Sequence, residues 1–135
     1  MAYSQEVDLP GPYHWQNRIL VVFADEQGNT IEQQITHLQE DKAGMDERDM
    51  RVFQIFKDKI ITPNQTVYAE KNVNKLRKQF DVNQEGFTVI LVGKDGGEKL
   101  RQHEILSVEK LFATIDAMPM RRQEMKNKRS KTKGY

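Results

Sequence analysis

Two stretches of this chain read as strands buried on both faces, RILVVFA at 18–24 and FTVILV at 87–92. Each is a continuous run rich in β-branched and aromatic residues, too short for a core helix and lacking the polar alternation of a strand that faces water. A sheet built on such strands needs cover on both sides, so the polar segments around them must supply helices. That demand narrows the chain to the α/β class.

The intervening segments meet it. Ile31, Ile35 and Leu38 fall at i, i+4 and i+7, and Thr30 with Gln33 fits a capping box. The spacing predicts a helix to about Lys42, with Gly44 able to end it in the left-handed region. MRVFQIF at 50–56 is a further strand. Residues 57–71 are the least periodic part of the body, an excursion with a turn at Pro63–Asn64 in which Thr66–Tyr68 could make a short extra strand. Val73, Leu76 and Phe80 make a helical stripe that Asn72 can cap. The DGG of GKDGGEK turns FTVILV back into KLRQHE as a hairpin. Val108, Leu111, Phe112, Ile115 and Met118 share one helical face, Ser107 is a natural N-cap, and Leu106 can staple onto Leu111. Pro119 ends or kinks that helix.

The expected organisation is a flexible lead-in over 1–12, one domain over 13–125 and a basic, disordered tail over 126–135. The predicted order is β-α-β-α-β-β-α, with a mixed four- to five-stranded sheet flanked by helices, which is the thioredoxin-like order.

Composition limits the chemistry. The 135 residues contain no cysteine, which removes disulfides, thiolate catalysis and cysteine metal sites together. Net charge is +1, but residues 121–135 hold seven Lys/Arg against Glu124 alone and carry +6, leaving the first 120 at −5. No run approaches the roughly 18 apolar residues that cross a bilayer, so no membrane role is expected. MAYSQEVDLPGP lacks the charged and apolar regions of a secretory signal. A cytoplasmic location is expected for the chain as it stands, and a periplasmic or secreted one if a signal has been removed.

WQNRILVVFA, GFTVILVGKDGGEKLR and LFATIDAMPMRRQEM resemble the corresponding segments of the DUF4174 family, and the resemblance covers about residues 13–126. Its most specific parts are GKDGG with KLR, and IDAMPMRRQEM. The family is a thioredoxin/peroxiredoxin-like domain of unknown function. It recurs in sushi-repeat-containing secreted proteins, in a related extracellular-matrix protein and in short stand-alone bacterial proteins; this chain resembles the last type. The thioredoxin-like resemblance implies a reactive thiol in the loop after the first strand, and a cis-proline just before the strand FTVILV. Here the loop is FADEQGNT, and Gly86 and Phe87 stand where the proline would be. Cis costs a non-proline bond roughly 2.5–4 kcal/mol, so a trans peptide is predicted at Phe87. Both halves of the redox apparatus are missing.

The remaining candidates are weighed as pairs of readings. Asp25, Glu26 and Asn29, with Phe87, form a candidate ligand loop at the carboxyl end of the first strand, where α/β proteins bind ligands; adjacent acids in a polar loop are more often simply solvated. Lys94, Asp95, Lys99 and Arg101 form either an ordinary hairpin turn or a basic edge for an anion. Met120, Arg121, Arg122 and Met125 form either a segment folded back with Asp116 or Glu124 paired to an arginine, or an exposed partner-binding patch. His14, His37 and His103 lack metal-ligand spacing. No catalytic residue, metal or cofactor is expected. The expected function is a redox-inactive module that binds or supports another protein, self-association being possible and nucleic acid disfavoured. The alternative is a small-ligand or oxidoreductase-related role through the loop.

Overall fold

The computed structural model describes residues 7–26, 28–67, 70–82 and 86–132, with side chains as far as Lys128. Six strands form one sheet in the order β4-β3-β2-β1-β5-β6. At its centre, β1 (Arg18–Phe23) runs parallel to β2 (Met50–Ile55) and antiparallel to β5 (Thr88–Val92). All residues of β1 and β5 are buried, as their unbroken apolar runs demand. Beyond β5 lies β6 (Glu98–Gln102); beyond β2 lie β3 (Ile60–Ile61) and β4 (Thr66–Val67). Six strands replace the expected four or five because two-residue strands fall below any readable alternation. Of the segment Thr66–Tyr68, which could make a short strand, Thr66 and Val67 form β4 and Tyr68 lies outside the described residues.

Alternation along the strands sorts the core into two clusters. Ile19, Val21, Phe23, Phe53, Ile55 and Ile90 face α3 (Glu70–Gln79), which contributes Val73 and Leu76. Leu20, Val22, Met50, Val89 and Leu91 face the other way, onto α1 (Asn29–Gln39), α2 (Lys42–Glu47) and α4 (Val108–Asp116). Val7 and Leu9 insert into the α3-side cluster, and Gln79 Nε2 donates to the Leu9 carbonyl. The described part of the lead-in is therefore packed against the core rather than flexible.

Local capping departs from expectation in three places. Gly28, not Thr30, stands at the N-cap of α1 and makes no side-chain cap bond. Asn72 is buried inside α3 instead of capping it. Gly44 lies within α2, where Asp41 accepts from its amide at 2.9 Å, and does not terminate α1. Its reason is close approach: an added Cβ would lie 2.6 Å from the Phe112 ring and 2.7 Å from Asp41 Oδ2. The cap of α4 matches its prediction, with Ser107 Oγ accepting from Lys110 N at 3.1 Å and Leu106 and Leu111 fully buried. The hairpin does as well: Gly93 N donates to Gly97 O at 2.9 Å, and Gly96 adopts φ +86°, a conformation suited to glycine.

The largest departure is at the carboxyl end. α4 ends at Asp116, and Pro119 opens a further helix, α5 (Pro119–Thr132), which replaces the expected disorder from 126 onward. Proline is tolerated in a first helical turn because its missing N–H has no intrahelical partner there, and the Arg, Gln, Met and Lys that follow are good helix formers. Residues 133–135 lie outside the described residues. Gly44→Ala is expected to lower stability by about 1–3 kcal/mol through overpacking, and Ser107→Ala by about 1 kcal/mol through loss of the cap. Urea denaturation of the two variants checks both.

Candidate functional site

The carboxyl end of β1 leads into Ala24, Asp25 and Glu26. Asp25 turns back across the sheet, its Oδ2 accepting from the Gly86 amide at 3.0 Å. Beneath it Arg77 of α3, 5% exposed, donates to the Ala24 carbonyl at 3.1 Å and lies 5.5 Å from the Phe23 ring centroid. Burial pulls the Arg77 pKa below its ordinary value, and the Asp25 charge opposes that shift. Asp25 Oδ1 is buried with no hydrogen-bond partner among the described residues. Of the predicted loop residues, Asp25 is thus drawn to the backbone beside half-buried Phe87, whereas Glu26 and Asn29 remain exposed. The Gly86–Phe87 peptide is trans.

Next to Phe87, Thr88 Oγ1 and His103 Nδ1 share a hydrogen bond of 3.2 Å. They border a groove of about 570 Å³ with Asp81, Gly86, Phe87 and Arg101. The Thr88–His103 pair escaped sequence reasoning, although hairpin register holds the signal: Val89 pairs with Gln102, so Thr88 and His103 are neighbours. Arg101 has little freedom, being bound to Glu98 at 2.7 and 3.1 Å and to the Phe80 carbonyl. Among the described residues no cluster of three or more His, Asp or Glu is arranged to hold a metal.

The opposite end of β1 is built from ion pairs. Arg18, 1% exposed, grips Glu124 through two bonds of 3.1 and 3.2 Å. Lys94, at the end of β5, bonds Glu124 and Asp49, each at 2.8 Å. Arg48 holds Asp116 at 2.9 and 3.1 Å while lying 3.8 Å from the Phe112 ring centroid. Arg121, 3% exposed, bonds Asp116 at 3.1 Å and Glu47 at 3.3 Å. Burial opposes ionisation of Glu124, but hydrogen bonds and charge from Arg18 and Lys94 outweigh it and hold its pKa below the ordinary value. Asp116 behaves alike: burial works against its charge, and Arg48 and Arg121 prevail.

This network divides the predicted interaction surface. Lys94 and Arg121 are interior ion-pair partners and present no free charge. Lys99 pairs with Asp95 at 2.9 Å and Arg101 with Glu98, so the hairpin is not an unpaired basic edge. Arg122 is exposed and Met125 half-buried. Met120 is 40% exposed and borders a cleft of about 310 Å³ that Arg18, Lys94, Lys99 and Met118 also line. Sequence reasoning did not single out Trp15, which is 57% exposed. It is held at φ 68° by a bond from its amide to the Lys94 carbonyl of 2.7 Å, with its ring stacked on His14.

Central β1 between parallel β2 and antiparallel β5, with helices on both faces, defines a thioredoxin-fold domain of the peroxiredoxin-like kind; the chain carries no cysteine. The chain belongs to the family DUF4174, a domain of unknown function, whose model matches residues 11–124. Solved structures agree on the fold. A reduced 2-Cys peroxiredoxin from Plasmodium vivax is 12% identical, covering 87% of this chain and 85% of its own, with a TM-score of 0.63. The thioredoxin peroxidase I of Plasmodium yoelii is 15% identical, covering 87% and 80%, with a TM-score of 0.65. Among curated proteins no sequence matches the chain.

The lowered carboxyl pKa values set an acid limit. Both groups ionise more readily folded than unfolded, so their stabilisation is complete above the ordinary values of 4.5 for Glu124 and 3.8 for Asp116. It is lost as pH falls through the folded values. Urea midpoints are expected to drop steeply below about pH 4.5. At neutral pH Glu124→Gln should cost about 3 kcal/mol or more, because it leaves Arg18 buried without its counter-charge, and its acid slope should be shallower than the parent's.

Proposed function

We propose that the chain is a redox-inactive binding module that presents a protein-docking surface around the turn between β5 and β6. One observation carries this reading. The described residues leave two large apolar side chains exposed, Trp15 and Met120, and both flank that turn. A bulky residue in the left-handed region is strained, and Trp15 is kept there by its bond to Lys94, whose side chain is anchored by Asp49 and Glu124. Tryptophan and methionine on a rigid base suit a contact that gains from burial without ordering a loop.

Trp15→Ala with Met120→Ala is expected to weaken partner affinity more than tenfold at an unchanged melting temperature, whereas His103→Ala at the other end leaves affinity intact. The measurement is a titration against a partner first identified by crosslinking the full chain. Equal binding by the double variant counts against the reading, and so does peroxide turnover by the purified chain with a dithiol donor above a heat-treated control.

A small-ligand or oxidoreductase-related role at the β1–α1 loop is favoured by Asp25 Oδ1, which is buried without a hydrogen-bond partner among the described residues. Small-molecule screening by amide NMR separates the two readings: shifts gathered at Gly86 and Thr88, and lost in Asp25→Asn, favour the loop.

A further inference from the structure

β2 is paired along its whole length with β1 but, on its other side, with β3 only at Gln54 and Ile55. The cause is local. Past Ile61 the chain reaches Pro63, which has no N–H to give to a ladder. A turn closed by Thr62 N and Gln65 O at 2.8 Å then carries it outward into β4. Met50–Phe53 are left as an open strand edge among the described residues. Arg18 N donates to Asp49 O and Ala24 N to Ile55 O, so odd-numbered residues of β2 spend their backbone groups on β1. Alternation turns those of Met50 and Val52 outward.

This edge has a floor. Ile35 and Leu38 of α1, Met45 of α2, and Met50 and Val52 line a cleft of about 590 Å³ whose far wall is the turn at 62–64. At its rim Lys42 and Asp46 neutralise each other at 2.9 Å. Arg51 instead donates to the Met50 carbonyl at 2.9 Å, and no carboxylate pairs with it among the described residues.

We propose that this edge receives an extended segment of another protein, added as a strand beside Met50–Phe53, with apolar side chains on the Ile35–Leu38–Met45 floor and an Asp or Glu against Arg51. The outward N–H groups of Met50 and Val52 and the Val52 carbonyl are matched by an extended main chain, and not by a helix or a small molecule, with Arg51 leaving the Met50 carbonyl to meet the incoming carboxylate. Four residues at about 3.3 Å each offer a ladder of about 13 Å, and the apolar floor adds selection by side chain. A second copy is disfavoured by charge, because a twofold pairing of two β2 edges brings Arg51 toward Arg51 across the strands.

Random eight-residue peptides displayed on phage and selected against the full chain, with amide hydrogen exchange read on the protein, test this. Enriched peptides are expected to alternate apolar and polar residues, to carry an acidic residue, and to slow exchange of the Val52 amide at least tenfold. Arg51→Glu should weaken those peptides tenfold or more, and Ile35→Glu should abolish binding. Melting temperatures establish that each variant is folded, and the Val52 readout on the parent protein stands without either. Failure to enrich, enrichment without Val52 protection, or apolar residues at helical spacing overturns the proposal. Protection of Val52 that rises with protein concentration in the absence of peptide also overturns it, by assigning the edge to a second copy.

Discussion

Arg18 and Lys94 share one carboxylate, that of Glu124, and the lower end of the sheet depends on it. An arginine 1% exposed at the head of a central strand is tolerable only with its charge matched and its donors largely occupied. Glu124 lies on α5, so docking of α5 is the condition for burying the start of β1. Asp116 extends the arrangement by holding Arg48 from the end of α2 and Arg121 from α5. Four cations and four carboxylates thus bind together the ends of β1, β5, α2, α4 and α5. The same ties fix Lys94, and through its carbonyl they fix the unusual backbone of Trp15.

The two ends of β1 differ in kind. At the amino end charges are paired and inward, and the neighbouring surface exposes Trp15 and Met120. At the carboxyl end, where a thioredoxin-like resemblance implies a reactive thiol, Asp25 is drawn onto Gly86 and a buried guanidinium underlies the loop. The chain thus combines a thioredoxin-like fold with a sequence that contains no cysteine.

Much of this was legible in the residues themselves. The runs at 18–24 and 87–92 specify buried strands, Ser107 and Leu106 mark the start of α4, and DGG marks the hairpin. What escaped was non-local. Composition reads residues 126–135 as a disordered basic tail, whereas α5 continues to Thr132; the pairing of Glu124 with an arginine was legible, but not that the arginine is Arg18, 106 residues away. Arg77 looks like a solvated member of α3 until the Ala24 carbonyl is placed above it. Gly44 reads as a helix stop because sequence does not reveal that Phe112 presses on it. Ile60–Ile61 is too short to show alternation, and the open edge it leaves on β2 was invisible for the same reason. Of the candidate surface, Met120 reads only as one of a group with Arg121, Arg122 and Met125, and the exposure of Trp15 accompanies a backbone bond that no pattern announces.

The separation of Arg18 from Glu124 also bears on birth of the chain at the ribosome. Synthesis at about 5–20 residues per second places roughly 5–20 s between the two. Throughout that interval β1 has its apolar neighbours forming but no counter-ion for its leading guanidinium. Closure of the lower end of the sheet through this ion pair therefore waits until α5 has been made.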